Sequence, residues 1–212
     1  MPDLDYWTSA VFNYFVVFFI VVMTIRLWRI MKYPYKKDLS EARGDSRYGA
    51  LYALTFAMLP WKKESTKTHW ATYTAGMMMH LAVFIVFLFA LGRRFGIGED
   101  ILQPLVQTVG LVGLATAFGL FIKRSTITYM KTISNFDDYF SNLLVDFYLL
   151  GGVLTAFDAA WVPLWRLAAI LLFIWIPLGK IFHMPLFFVS RILFGLQFGR
   201  RGVIRHGKPI TY

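Results

Sequence analysis

Two histidines stand where an imidazole is costly. His80 lies within TAGMMMHLAVFIVFLFAL and His183 within ILLFIWIPLGKIFHMPLFF, both long apolar stretches. An ionisable side chain in hydrocarbon needs a partner and marks a functional site by default. Two neutral imidazoles on different helices of a bundle can supply both axial ligands of a haem iron. A six-coordinate iron of that kind relays single electrons and has no open position for oxygen or substrate. The expectation is one b-type haem with His80 and His183 as its iron ligands.

Further candidates surround this pair. Asp146, in an apolar run that begins after Asp137 and Asp138, is a carboxylate at membrane depth and a candidate for proton exchange with a quinone; the plainer reading makes it a partner of Lys180 or Arg124. Arg166 and Lys180 are candidates for haem propionates or the same proton and quinone site, or they only snorkel. His69 stands eleven residues before His80, close to three helical turns, so His69 and His206 could hold a second haem at the membrane edge. Alternatively His69 is an interfacial residue beside Trp70, and His206 belongs to a solvated basic tail. Met77, Met78, Met79 and Met184 could each offer a thioether, a role that packing competes with.

These residues need elements to carry them, and composition decides which. The 212 residues are 58% hydrophobic and 16% charged, with a mean hydropathy of +0.55, too apolar for an ordinary soluble domain. The absence of cysteine excludes disulfides, thiolate-held iron–sulfur clusters and covalent c-type haem. The net charge of +10 falls in connections between apolar runs, where topology and lipid headgroups account for it and nucleic acid is not needed.

Five runs are long enough for a hydrocarbon core of about 30 Å: Ser9 to Trp28, Thr72 to Gly92, Ile101 to Ile122, Ser141 to Trp161 and Leu164 to Phe188. Their continuous, non-alternating apolar character predicts helices rather than a barrel. The fold expected is an all-α integral membrane bundle of five transmembrane helices in one domain, residues 1–212. The first run is retained as a span rather than cleaved as a signal peptide. Gly110, Gly113 and Gly119, with Ala115 and Ala117, offer a small-residue face for close helix contact. Only Pro177 and Pro185 interrupt a helix, and no internal repeat suggests a transporter.

Ten lysines and arginines between Arg26 and Lys67, and a basic C-terminal tail at 192–212, put the N-terminus outside and the C-terminus in the cytoplasm. Tyr48 to Trp61 is apolar, too short to span and flanked by basic residues, so it suits an interfacial helix or a docking surface for a partner subunit. In this arrangement His80 stands ~18 Å from the outer end of the second span and His183 ~28 Å from that of the fifth. Helix tilt must absorb much of the mismatch.

Several segments together carry a family resemblance: LPWKK and THW ahead of His80, SNFDDYFSNLLVDFYLLGG after a basic loop, and WRLAAILLFIWIPLGKIFHMPLFF. From about Leu59 to Arg191 the chain resembles the gamma subunit of respiratory nitrate reductase. It is also similar to the membrane cytochrome b subunits of heterodisulfide-reductase-like and dissimilatory sulfite-reduction-associated complexes. The resemblance implies five spans in the cytoplasmic membrane, a quinone as exchangeable substrate and a cytoplasmic iron–sulfur oxidoreductase subunit as partner. Family members hold two haems between helices two and five. His80 and His183 match the proximal pair, whereas the distal pair would fall around Ala90 and Trp165 to Ala168, where no histidine occurs. A single-haem variant is what the resemblance implies. The rival reading is a non-redox membrane anchor or small transporter whose histidines hydrogen-bond or conduct protons.

Overall fold

The computed structural model describes residues 2–32, 38–62, 66 and 68–204. Every regular element among them is helical. Five helices are long and apolar enough to cross a membrane: Thr8–Met31, Trp70–Phe95, Glu99–Thr126, Phe136–Phe157 and Lys180–Arg200. The chain is a multi-pass membrane protein by that length and composition. Two compact units divide it, one of Met1–Arg29 with Ala71–Ile181 and one of Ile30–Trp70 with Phe182–Tyr212.

The first unit holds most of the apolar helices. Here α1 is Pro2–Met31, α3 Trp70–Phe95, α4 Glu99–Leu105, α5 Leu111–Thr126, α6 Thr128–Ile133, α7 Phe136–Phe157 and α8 Val162–Trp175. Pro104 sits inside α4 and is followed by a π-helical turn, Val106–Gly110, before α5 resumes the course. Proline deprives the ladder of a donor and crowds the carbonyl four residues back, and a single wide turn absorbs that defect. Pro104 is thus an interruption that the sequence reading passed over. Pro185, by contrast, interrupts nothing, because it lies in the first turn of the last helix, where its missing N–H has no ladder partner to lose.

Small residues set the closest helix contacts, as expected, but the face is narrower than predicted. A Cβ on Gly113 would land on Ala82 of α3, and one on Gly110 would come to 3.0 Å from Val153. Ala117 is fully buried with them. Gly119 has nothing within 4 Å of its Cβ direction, and Ala115 is exposed. Neither belongs to the packed face.

The fifth predicted run, Leu164 to Phe188, is not one helix. α8 stops at Trp175, a tight turn follows, and a new helix starts at His183. Pro177 cannot donate its backbone N–H to the preceding turn. A Cβ on Gly179 would overlap the Trp175 indole and stand 2.7 Å from the Asp137 carboxylate. That carboxylate fastens the turn: Asp137 Oδ2 accepts from Lys180 N at 2.9 Å, and Oδ1 from Ser141 Oγ at 2.7 Å and Trp175 Nε1 at 3.2 Å. Charged hydrogen bonds of this kind contribute about 1.5–3 kcal/mol each where they are shielded. Asp137→Ala should therefore lower stability by about 2 kcal/mol, read as a fall in detergent-solubilised thermal midpoint; an unchanged midpoint would refute the fastening role.

The second unit is built on α2, Ser46–Leu54, and α9, His183–Arg200. Asp45 caps α2 by accepting from Arg47 N at 2.8 Å. Gly49 meets Gly195 and Gly199 backbone to backbone, and Gly44 meets Gly202. The predicted interfacial segment Tyr48 to Trp61 is therefore a short helix followed by 3₁₀ turns at Phe56–Met58 and Pro60–Lys62, with its first half packed on α9. Arg43 and Gly44 N–H groups donate to the Arg200 carbonyl at 2.8 and 3.1 Å, and Arg201 Nε donates to Asp38 Oδ2 at 2.8 Å. The Arg201 guanidinium first, and then the Ser40 hydroxyl and N–H, hold the Asp38 carboxyl well below the usual carboxylate range. A depressed folded pKa gives stability that is complete above the unfolded value of about 4 and is lost as pH falls toward the folded one. Hydrogen exchange in residues 38–46, corrected for intrinsic rates, should stay flat from pH 7 to 5 and rise only in stronger acid.

Candidate functional site

His80 is ten residues into α3, so its backbone lies about 15 Å along the helix from the Trp70 end. Its Nδ1 is 2.7 Å from the Gly76 carbonyl oxygen. A carbonyl only accepts, so Nδ1 carries the hydrogen and Nε2 keeps the lone pair. This hydrogen bond to the backbone fixes the tautomer and orientation of the ring, as a metal-ligating imidazole would need. The ring faces outward from the first unit, and Gly76, one turn away, has open space where a side chain would stand. The histidine is presented rather than packed.

His183 is differently placed. It is the first residue of α9, exposed, and belongs to the second unit. The depth derived for it from one continuous fifth span does not hold, because the Pro177–Gly179 turn ends that span before the histidine. His69 sits at a bend before α3 rather than on the helix, so the helical spacing that related it to His80 is lost. His206 lies outside the described residues.

Asp146 is also ten residues into its helix, α7, and so lies about 15 Å along it, the same rise as His80 along α3. Both helices start at one end of the unit. Lys123 at the end of α5 donates to Thr72 at the start of α3, and its neighbour Arg124 reaches Asp138 at the start of α7 at 3.5 Å. Asp146 is buried. Asn142 Nδ2 donates to its Oδ1 at 3.2 Å, and Oδ2 has no hydrogen-bond partner. The reading that paired Asp146 with Lys180 or Arg124 is wrong, because both cations go to Asp138, Lys180 Nζ at 2.6 Å. Arg166 donates to Thr8 Oγ1 at 3.3 Å near the other end of α8. Asp146, Lys180 and Arg166 therefore do not share a site.

A surface feature that sequence reasoning missed is the groove between α3 and α5. Ala71, Thr72, Ala75, Thr116, Gly119, Leu120 and Lys123 line it around a volume of about 240 Å³. Of its lining residues only Gly119 was singled out from the sequence, as part of a packing face; Ala71 and Ala75 one turn apart on α3 are the signal that could have found it. Among the described residues no group of three or more histidine, aspartate or glutamate side chains forms a metal cluster; a haem iron held by two histidines needs none. No protein-family model, curated protein or solved structure matches this chain.

Proposed function

We propose that this protein is the b-type cytochrome subunit of a respiratory complex in the cytoplasmic membrane, passing electrons between a quinone and a cytoplasmic iron–sulfur subunit. The observation that supports it most is His80, fixed through Nδ1 to Gly76 with Nε2 free on an apolar helix. His80 fits an axial ligand, and His183 supplies the second imidazole in this reading. Bound there, haem b provides one-electron transfer without an open coordination position. The chain's own contribution is to hold the two imidazoles, exclude water and exchange the protons that quinone chemistry requires. Asp146 serves the last role, at the same rise as His80 and with one oxygen unclaimed. The N-terminus is outside in this reading, and the cluster of Lys123, Arg124, Asp138 and Lys180 faces the cytoplasm.

An optical spectrum of the purified chain tests the proposal: reduced b-type bands support it, and a colourless protein reconstituted with haem but taking none up ends it. Asp146→Asn keeps the shape and removes the titratable group, so haem reduction by quinol should slow by about 10²-fold or more while the spectrum is preserved. A specific observation favours the rival, a non-redox anchor or small transporter: His183 heads a separate exposed helix instead of sharing a membrane span. The spectrum separates the two.

A further inference from the structure

The groove between α3 and α5 has a shape set by two contacts. Near one end Lys123 Nζ donates to Thr72 Oγ1. Ten residues along α3, about 15 Å deeper, a Cβ on Gly113 would overlap that of Ala82. The helices are therefore antiparallel, and between these levels their side chains are too small to fill the space. Gly76 and Gly119 each have nothing within 4 Å of the place a Cβ would take, and Ala75 and Gly119 face a volume of about 240 Å³ across the groove. Both helices belong to span-length apolar segments, and Thr72 and Lys123 lie close to the ends of those segments. That puts the Lys123 end at headgroup level and the Gly113–Ala82 contact in hydrocarbon.

The polarity of the groove is as uneven as its depth. Thr116 gives its hydroxyl hydrogen to the Gly113 carbonyl at 2.8 Å, on its own helix. What remains for a ligand is concentrated at Lys123. The neighbouring cations are neutralised by carboxylates: Arg124 and Lys180 by Asp138, and Arg93, at the far end of α3, by Glu99. Lys123 is held by a neutral hydroxyl, and among the described residues no carboxylate forms an ion pair with it. An ammonium has three N–H donors, and Thr72 takes one. A half-buried cation pinned over the mouth of an apolar groove lacks an anion, and basic pockets between membrane helices take acidic lipid headgroups.

We propose that this groove is a binding site for an anionic glycerophospholipid, with the headgroup phosphate on Lys123 and one acyl chain laid along Ala75 and Gly119 toward the Gly113–Ala82 contact. The inference does not rest on the haem reading and survives its failure.

Native mass spectrometry of the full-length, detergent-delipidated protein, given equal phosphatidylglycerol and phosphatidylcholine, tests the site. The parent should retain phosphatidylglycerol in preference, and Lys123→Gln should reduce that preference by about fivefold, the worth of one basic residue at a lipid surface. Lys131→Gln removes an exposed charge elsewhere in the same unit and should change nothing. An equal fall with Lys131→Gln would mean diffuse attraction to the whole basic end, and the proposal falls. Lys123→Arg keeps the charge and should keep most of the preference; a loss as large as that of Lys123→Gln would make the lysine a pin between helices and overturn the headgroup role. Gly119→Leu fills open space without a clash and should exclude the lipid while Lys123 stays in place. Retention as in the parent would show that no chain enters the groove. Glycerol 3-phosphate at the lipid's concentration should displace nothing, and displacement by it would assign a phosphate site in place of a lipid site.

Discussion

Purified His80→Ala protein should be colourless or nearly so, with haem content down at least tenfold, while His69→Ala and His206→Ala keep the parent spectrum. The expectation rests on the tautomer. Gly76 fixes the Nδ1 hydrogen, so Nε2 is the one nitrogen able to bind iron, and alanine leaves no donor there. His183→Ala should bleach the protein to the same degree. The two substitutions test different statements, because His80 and His183 belong to different units. Loss with His80→Ala and retention with His183→Ala would leave His80 as a ligand and require another second ligand. Full retention in both would end the cytochrome reading. Bleaching by His69→Ala or His206→Ala would show a second haem at the membrane edge.

The second large effect is expected at Gly49. A Cβ there would overlap the Gly195 carbonyl oxygen and the Gly199 Cα, and both are backbone atoms that no rotamer change can move. Overpacking a close-packed contact costs about 1–3 kcal/mol, and the rigid obstacle here places Gly49→Val at or above the upper end. The helices must separate, so trypsin should cut after Arg47 at least tenfold faster in Gly49→Val than in the parent. Gly119→Ala is the control. Its Cβ meets nothing within 4 Å, and replacing a mid-helix glycine by alanine contributes about 0.5–1 kcal/mol toward stability. Equal proteolysis of the Gly49 variant and the control would show that α2 is not held by this contact.

The spans that the sequence made legible are those with unbroken hydropathy and clear ends. α3 and α7 appear where the apolar runs put them, α7 with its capping box of Asn135 and Asp138. Hydropathy averages over a window, however, and a turn made of apolar residues leaves no dip. Pro177 was legible as an interruption, but with no dip in hydropathy over Ile176–Gly179 it was not legible as the end of the span. The error passed directly to His183, whose depth was calculated on a helix that ends eight residues earlier. Asp146 was legible both as an unpaired carboxylate and as a partner of Lys180 or Arg124, and sequence could not choose, because the competition of Asp138 for both cations depends on where three separate segments meet. The pairing of α2 with α9 was illegible for the same reason. Each glycine is informative only beside its opposite number.

That pairing also has a consequence for biosynthesis. The Arg200 guanidinium donates to the Ser40 carbonyl across 160 positions of sequence, so α2 leaves the ribosome long before its partner exists. At roughly 5–20 residues per second the wait is on the order of ten to thirty seconds. During it the glycine face of α2 has no cover within the chain, while the helices from α3 to α8 are being made. A nascent chain stalled or truncated before Gly195 should therefore contain an inserted first unit and an unpaired α2, a substrate for membrane quality-control proteases that the finished chain conceals.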